Sequence, residues 1–418
     1  MAQAYRLDLL LALLLPVVGA LMPGTVVRLN EAVLSYVSEI GTAPLQQALR
    51  VTVPYFLDWN EEVHQPTRIQ TLNVHVPHFH LKFIADFGVR MLVAANFTFK
   101  VFRVPEPLKL VLPVVLLADA QVAQGSIRTP VVSISACFAL FNTSASVLPQ
   151  LCLSISNLVQ GLNVHLGTLI GLNPVGPESQ IRYSMTNAPN ITKDYISLDI
   201  SAILFLLGKP IVLPVDVTHF VLPPNVGADG AMATVGLSQD LFDSALLLLQ
   251  KAGALNLDIT GQLKSEDNLL NTSVLGQLIP EVARRFPEPM PVTLKVRLGA
   301  TPVATLRTNN ATLQLQPFVE VQAVTSNSAF QSLFSFDVVV NLDLQLSVSK
   351  VKLQGTTSTN QMRPLMDTVF KRPLLDHLNA LLGMGITLPS MVNLYYINPE
   401  VFVYEGYVVI SSGLLYQR

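Results

Sequence analysis

Charged side chains are scarce in this sequence, at 13% of 418 residues where soluble domains average about 25%. The 26 lysines and arginines nearly balance the 28 aspartates and glutamates, and neither sign is concentrated in one stretch. Proteins that bind nucleic acid through its phosphates need a strongly basic face. The sequence therefore argues against a nucleic-acid partner, and it gives no support to strong attraction to anionic membranes.

Long hydrophobic runs are also missing after the first 20 residues, although the chain is 50% hydrophobic and its mean hydropathy is +0.46. The longest runs, Leu110 to Ala118 and Ile200 to Gly208, have about half the ~20 residues that a membrane-spanning helix needs. We therefore predict no transmembrane segment. The apolar surplus must instead fill a large core, line a cavity or form an exposed apolar face.

The first 20 residues have the pattern of a secretory signal peptide. A single cation, Arg6, precedes an apolar run from Leu9 to Val18, and the small residues Gly19 and Ala20 follow it. Because this run is too short to span a bilayer, it predicts cleavage near residue 20 and a secreted, extracellular protein. A buried N-terminal helix is the alternative interpretation.

Cysteine is almost absent, with only Cys137 and Cys152 in the chain. In the oxidising secretory pathway such a pair can form a lasting disulfide, which would close a short loop between them. Two buried free thiols are the alternative, and a metal site is not expected because the C-x-x-C spacing is missing. Five sequons predict a glycoprotein with its sugars on solvated turns: Asn96, Asn142, Asn190, Asn271 and Asn310.

Motifs of catalysis are missing as well, since the sequence has no G-x-S-x-G elbow, H-E-x-x-H, P-loop or Rossmann fingerprint. The densest group of ligating residues is His75-x-x-His78-x-His80, whose imidazoles could approach a metal. However, His78 and His80 fall on the polar face of an alternating strand, where such side chains are normally solvated. We therefore predict a protein that is not an enzyme and has no catalytic residue, metal or cofactor; an esterase would need a nucleophile–base pair that no motif supplies.

Residues 26–50 have the apolar spacing of an amphipathic helix. The expected apolar face consists of Leu29, Val33, either Tyr36 or Val37, and Ile40. Gly41 and Pro44 interrupt the pattern, so we expect a long helix with a break. A second amphipathic helix is expected in residues 237–253, with Ser238 as its N-cap.

Alternating apolar and polar residues predict long strands after each of these helices. In residues 71–87 the alternation changes phase at Pro77, which predicts a β-bulge because proline cannot donate to the strand ladder. Residues 338–349 predict a strand about 40 Å long, which is unusual in a globular sheet. Because long one-sided strands accompany an apolar helix twice, we predict an α+β protein in which each sheet curves around a helix.

Four segments resemble the bactericidal/permeability-increasing (BPI) and lipopolysaccharide-binding protein (LBP) family, especially its long palate-lung-nasal-epithelium-clone (PLUNC) branch. They are GTAPLQQAL (41–49), VGLSQDLFDSALLLLQKAGALNLDIT (235–260), LIPEVARRFPEPMPV (278–292) and SAFQSLFSFDVVV (328–340). The resemblance implies an elongated boomerang of two barrels, each a long curved antiparallel sheet wrapped around a long helix, joined by a central sheet. It also implies a disulfide in the first barrel, which matches the order of Cys137 and Cys152.

The same resemblance divides the chain into four parts. Residues 1–20 are expected to be the signal peptide, and residues 21–207 the N-terminal barrel. Residues 208–232, which are rich in proline and glycine, are expected to form a linker and the central sheet. Residues 233–418 are expected to form the C-terminal barrel.

The resemblance further implies a secreted lipid-binding protein that holds phospholipid or another amphipathic lipid in two apolar pockets, with a role in mucosal innate immunity. The expected lipid-binding residues are Leu29, Val33 and Tyr36 on the first helix, and Leu246 and Leu249 on the second. Plain core packing is the alternative for each of them. The alternative function is a surface-active or bacteria-interacting scaffold without stoichiometric lipid, in which the apolar surplus is exposed.

The sequence departs from the family pattern in three places. The family's cysteine pair encloses a long helix, but here only residues 138–151 lie between, so that helix is expected to be missing or reduced to SVLPQLC. Residues 352–370 run from a strand almost directly into a helix, where the family usually has another strand. Acidic residues dilute the cations of the first barrel, so the binding of bacterial surface lipids is expected to be weak.

Overall fold

The computed structural model describes residues 24–52, 55–60, 65–102, 107–140, 148–176, 178–211, 220–259, 264–265, 268–269, 271–325, 329–359 and 371–417. The predicted signal peptide and the sequon at Asn142 lie outside these ranges. Among the described residues, no helix is long and apolar enough to cross a membrane, in agreement with the sequence-based prediction.

The N-terminal half contains two long helices and a set of long strands. The helices are α1 (Glu31–Thr52) and α2 (Leu148–Leu166), and a 3-10 turn follows at Gly167–Ile170. The strands are β1 (Gly24–Asn30), β2 (Tyr55–Asn60), β3 (Gln65–Ile84), β4 (Gly88–Phe102), β5 (Leu108–Gln124), β6 (Pro130–Leu140), β7 (Asn173–Gly176), β8 (Ser179–Met185), β9 (Asn190–Ile191), β10 (Tyr195–Leu206) and β11 (Lys209–Pro210).

The C-terminal half repeats this combination of helices and antiparallel strands. Its helices are α3 (Gln239–Lys251), α4 (Thr272–Leu278), α5 (Pro280–Arg285) and α6 (Arg372–Met384). Its strands are β12 (Ala233–Ser238), β13 (Leu257–Ile259), β14 (Lys264–Ser265), β15 (Asn268–Leu269), β16 (Val292–Leu298), β17 (Val303–Arg307), β18 (Asn310–Leu315), β19 (Pro317–Val324), β20 (Phe330–Asp337), β21 (Val340–Ser349), β22 (Lys352–Ser358), β23 (Ile386–Thr387), β24 (Leu394–Tyr404) and β25 (Tyr407–Tyr416).

A nine-stranded sheet joins the two halves. Its order is β24-β25-β12-β1-β10-β8-β7, and β9 and β11 also pair with β10. Strand β1 lies between β10 of the N-terminal half and β12 of the C-terminal half, antiparallel to both. The sheet therefore takes strands from both ends of the chain, while the predicted division at residues 207 and 232 stays a prediction.

The N-terminal sheet has the order β2-β3-β4-β5-β6 and wraps around the two long helices. Its inner face carries Phe97, Phe99 and Leu116, which pack against Leu49 of α1 and Leu151 of α2. The pairing of β3 with β4 changes register between His75 and His78, which confirms the bulge predicted at Pro77. The bulge turns His78 and His80 to the exposed side of the sheet.

The first predicted helix begins later than expected and is not broken. Residues 24–30 form strand β1 instead, because backbone partners on β10 and β12 satisfy both of its edges. Helix α1 then continues through Gly41 and Pro44 as one helix. Its buried face, with Leu45 and Leu49, packs against the sheet. The free energy gained by this packing outweighs the loss of the one hydrogen bond that proline removes.

The helix enclosed by the cysteines was expected to be missing or reduced to SVLPQLC, and only residues 148–151 of a helix lie between them, but this helix continues well beyond Cys152. Helix α2 has 19 residues, and it lies mostly beyond Cys152 rather than between the cysteines. Leu151, Ile155 and Leu158 have helical spacing and face the sheet, which explains why this segment folds as a helix. The predicted disulfide is present between Cys137 on β6 and Cys152 on α2.

In the C-terminal half, one sheet has the order β17-β18-β21-β22-β23 and a second has the order β13-β16-β19-β20. The strand predicted over 338–349 begins at Val340, because β20 ends at Asp337 and two non-strand residues separate it from β21. Helices α3 and α6 contribute buried leucines to the core under the first of these sheets. The predicted α+β architecture of curved antiparallel sheets around helices is confirmed.

In each half of the chain, an asparagine on a helix binds a strand where that strand has no neighbouring strand on one side. The Asn163 side chain of α2 donates to the Val132 carbonyl at 2.7 Å and accepts from the Val132 amide at 2.8 Å. The Asn379 side chain of α6 does the same for Thr357 of β22, at 3.3 and 2.7 Å. Each amide side chain thus takes the place of a neighbouring strand and covers an edge that would otherwise be open.

Replacing Asn379 with alanine is expected to lower the free energy of unfolding by about 2 kcal/mol, because the amide and carbonyl of Thr357 lose their partners. Thermal unfolding followed by circular dichroism would measure the change. The matched control is Asn341→Ala, whose exposed side chain accepts one bond from Gln314 and should change stability by less than about 0.5 kcal/mol. Equal losses in the two variants would contradict the role given to Asn379.

Candidate functional site

An apolar hollow lies in the C-terminal half between α3, α6 and strands β21 and β22. Its volume is about 590 Å³ when the part open to solvent is included. The lining is Val175, Phe242, Ala245, Leu246, Leu249, Ala304, Leu313, Leu344, Leu346, Leu353, Gln354, Gly355, Leu381, Leu382, Gly385 and Ile386. Among these described residues none carries a charge, so the hollow suits a hydrocarbon group.

Helix α3 supplies one wall because four of its apolar residues share a face. Phe242, Ala245, Leu246 and Leu249 have the i, i+3, i+4, i+7 spacing that places side chains in one stripe. Val175 reaches the hollow from β7, so the N-terminal half also contributes to it. The hollow is thus built by both halves of the chain.

A glycine in β22 keeps the hollow open on the opposite side. A Cβ atom at Gly355 would lie 3.1 Å from Cδ1 of Leu344 and 3.4 Å from Cβ of Leu382. A larger side chain at this position would therefore occupy the space between the strand and helix α6. Glycine is therefore needed at position 355 to leave this space free, and not because the backbone there requires a glycine.

Hydrogen bonds of polar side chains hold the walls of the hollow in place. The Gln354 side-chain amide donates to the Gly383 carbonyl of α6 at 2.6 Å. On the other side, Asp243 of α3 accepts from the Ala304 amide of β17 at 3.3 Å, and burial raises the pKa of this carboxyl group. These bonds fix α6 against β22 and α3 against β17, two strands on opposite sides of the same sheet.

The structure places the five predicted lipid-binding residues in two different environments. Leu246 and Leu249 line the hollow. Leu29 lies on β1 and not on a helix, and Val33 is buried in the main core. Tyr36 is half-buried, and its hydroxyl accepts from the Tyr416 amide at 2.8 Å. A role in lipid binding stays a prediction for all five.

The region around Tyr36 is apolar and partly open to solvent. Val37 and Ile40 of α1 are exposed, and so is Val164 of α2, at 72%. The ring centroids of His165 and Tyr416 lie 6.3 Å apart, with the two rings nearly perpendicular. A first pocket lined by Leu29, Val33 and Tyr36 stays a prediction.

Sequence reasoning missed the contribution of α6 and of the two long strands to the hollow. Leu381, Leu382, Leu344 and Leu346 have ordinary core or strand spacing, so nothing local distinguishes a wall from a core. His377 of α6 is half-buried, and its Nε2 lies 2.9 Å from the Ala254 carbonyl oxygen. The pairing of β21 with β22 beside α6 determines which of these side chains face empty space.

The histidine group on β3 is exposed. His78 and His80 lie with ring centroids 6.5 Å apart, and the described residues contain no group of three side chains suited to a metal ion. The described sequons differ in their surroundings. Asn190 and Asn310 are exposed, Asn96 is half-buried in the middle of β4, and Asn271 caps α4 by accepting from the Val274 amide at 2.9 Å. Glycosylation stays a prediction at each.

Comparison with known proteins identifies the family. Residues 33–172 match the N-terminal domain of the LBP / BPI / CETP family, and residues 176–364 match its C-terminal domain. This chain therefore belongs to the LBP/BPI/CETP family, a lipid-binding family that includes the PLUNC proteins and is not known for enzymes. The resemblance seen in the sequence is confirmed.

Individual relatives cover the whole chain. BPI fold-containing family B member 2 of Homo sapiens is 72% identical over 458 aligned positions, with 100% of both chains covered. The protein of the same name from Mus musculus is 60% identical, again over 100% of both chains. A crystal structure of lipopolysaccharide binding protein covers 95% of this chain and 100% of its own, with a TM-score of 0.61 and 17% identity, and shows that the two share a fold.

Proposed function

We propose that this protein is a secreted, non-catalytic carrier that holds an acyl chain of phospholipid or another amphipathic lipid in the hollow beside α3. The observation that carries the proposal is the uncharged apolar lining, which includes Leu246 and Leu249. Ligand sites in proteins are typically lined by apolar side chains with few polar groups. The homologues are secreted proteins of the PLUNC/BPI family, which supports the same compartment for this chain.

The hollow is proposed to take one acyl chain, whose methylene groups match the uncharged apolar lining. Each methylene removed from water contributes about 0.8 kcal/mol, so a single chain provides enough free energy for firm capture. The polar head group would then remain at the mouth.

The family also supports contact with bacterial lipids. The solved structure that shares this fold is named for binding lipopolysaccharide, and we extend this to a role in mucosal innate immunity with weak affinity for bacterial surface lipids. A second candidate is a surface-active scaffold without stoichiometric lipid. The exposed apolar side chains of the N-terminal sheet favour it, since Leu140 is 68% exposed and Phe138 is 59% exposed.

Native mass spectrometry of the full-length protein, purified from the medium of secreting cells, tests the carrier function. We expect a mass increment of one lipid per chain, and organic extraction should release a molecule with an acyl chain. The extracted protein should then take up fluorescent phosphatidylcholine or lysophosphatidylcholine. A protein that emerges without lipid and takes up neither probe would exclude the carrier function. A serine-reactive fluorophosphonate should leave the chain unlabelled, and labelling would revive an esterase.

A further inference from the structure

Apolar side chains, four of them exposed and two half-buried, form two adjacent rows on the outer face of the N-terminal sheet. Register partners on β4, β5 and β6 define the rows, which are Leu92–Leu117–Phe138 and Ala94–Val115–Leu140. We call these six residues the outer apolar surface. Phe138 and Leu140 are 59% and 68% exposed, and Leu92 is 44% exposed.

These rows are not part of the core. The intervening residues of the same strands, such as Val93 and Leu116, are fully buried and face the helices on the inner side. Successive side chains of a strand point to opposite faces, so the rows point away from the helices. Contiguous exposed apolar patches on a soluble protein mark sites of interaction with another surface.

Cations lie on the same outer face at both ends of the outer apolar surface. Towards the central sheet, Lys82 is the register partner of Arg90, whose Nε donates to Asp119 Oδ1 at 2.7 Å. At the other end, Lys100 lies directly opposite Lys109. Two like charges in opposite positions of a sheet repel each other, and a negatively charged group over them would remove this repulsion.

We propose that the outer apolar surface docks the protein on bilayers that contain anionic lipid. Phe138, Leu140 and Leu92 enter the boundary between head groups and acyl chains, while Lys100 and Lys109 contact the anionic head groups. A second copy of this chain fits less well, because it would bring the same lysines against one another. None of the residues of the outer apolar surface lines the hollow, so the proposal does not depend on lipid carriage.

The linear sequence concealed this arrangement. Positions 82, 90, 100 and 109 lie up to 27 residues apart, and acidic residues interrupt them. Strand pairing brings their side chains onto one face, where the carboxylate of Asp119 is already bound to Arg90. The sequence lends no support to strong attraction to anionic membranes because the cations are scattered along the chain. On the folded sheet the same cations share one face.

The docking proposal also depends on whether the sequon at Asn96 carries a glycan. Asn96 lies on the same outer face, between His75 of β3 and Pro113 of β5, two residues along β4 from Ala94. A glycan on Asn96 would cover the outer apolar surface and keep it from a bilayer. The proposal therefore requires Asn96 to be unmodified, whereas glycans on exposed Asn190 and Asn310 would not interfere.

Vesicle flotation with the glycosylated full-length protein tests the proposal. Vesicles of phosphatidylcholine mixed with phosphatidylglycerol should carry the protein upward, and vesicles of phosphatidylcholine alone should carry much less. The double variant Phe138→Ser, Leu140→Ser should weaken binding by about tenfold or more. Lys100→Glu with Lys109→Glu should remove the preference for phosphatidylglycerol. The matched control is Val303→Ser with Phe318→Ser, which replaces two exposed apolar residues in the C-terminal half and should bind like the unaltered protein.

Four results would overturn the proposal. The first two are equal binding to both kinds of vesicle, and equal losses of binding in the double variant and its control. The third is a dimer, detected by light scattering, that the Phe138 and Leu140 changes break. The fourth is a glycan found on Asn96 by peptide mapping. Native mass spectrometry of the same double variant separates the two functions. The double variant should keep its lipid cargo. A variant that binds vesicles less but keeps its cargo supports the docking proposal. A variant that loses only its cargo bears on the carrier function and not on docking.

Discussion

Replacing Gly355 with leucine is expected to reduce the lipid that copurifies with the protein by about tenfold or more. The new side chain would enter the hollow between Leu344 and Leu382, where even a Cβ atom lies within 3.4 Å of both. If it displaces two methylene groups of a bound chain, the loss is about 1.6 kcal/mol, which corresponds to slightly more than a tenfold loss of affinity. Native mass spectrometry and quantification of extracted lipid would measure it.

The matched control for this variant is Gly299→Leu, because a Cβ atom at Gly299 meets nothing within 4 Å. It should retain its lipid. Since Gly355→Leu also strains a close contact, Leu346→Phe provides a second way to fill the hollow without crowding the backbone of β22. Folded Gly355→Leu and Leu346→Phe proteins that both retain a full complement of lipid would place the ligand elsewhere.

Replacing Arg28 with methionine is expected to lower the free energy of unfolding by about 3 kcal/mol. The Arg28 guanidinium is buried on β1, where it donates to the carbonyls of Leu222 and Pro223 at 2.9 and 3.1 Å and lies 4.3 Å from the Tyr195 ring centroid. Burial lowers the pKa of Arg28, although an arginine stays charged in proteins. Methionine would fill the space but leave two carbonyl groups without a donor, at about 1–3 kcal/mol each.

Differential scanning fluorimetry would show this loss as a fall of several degrees in Tm. The matched control is Arg182→Met, since Arg182 is exposed and its guanidinium carbon lies 5.3 Å from the Phe205 ring centroid. The control should change Tm little. If the two variants melt together, the segment from Phe220 to Pro223 is held by the apolar contacts of Phe220 and Leu222 and not by Arg28.

Local patterns were sufficient for some features. The phase change at Pro77 predicted the bulge because proline cannot donate in any sheet, and the stripe on α3 predicted that Leu246 and Leu249 share a face. The family resemblance then supplied the curved sheets. These predictions succeeded because each rests on the properties of neighbouring residues.

Long-range pairing decided the features that were missed. Leu29 has helical spacing with Val33, yet β1 pairs with residues more than 160 positions away, and the sequence cannot show those partners. In the same way, nothing near Phe138 indicates that its neighbours across the sheet are Leu117 and Leu92. Which apolar residues form a core, a hollow or an exposed surface was therefore determined by the register of distant strands.

The position of β1 has a consequence for biosynthesis. This strand emerges from the ribosome among the first described residues, yet it lies beside β12, whose other neighbour is β25 at residues 407–416. Until that last strand is translated, one edge of β12 has no partner and remains open to wrong pairing. A truncated protein that ends before Tyr407 should therefore aggregate or be retained before secretion, even though the long helices α1 and α2 are intact.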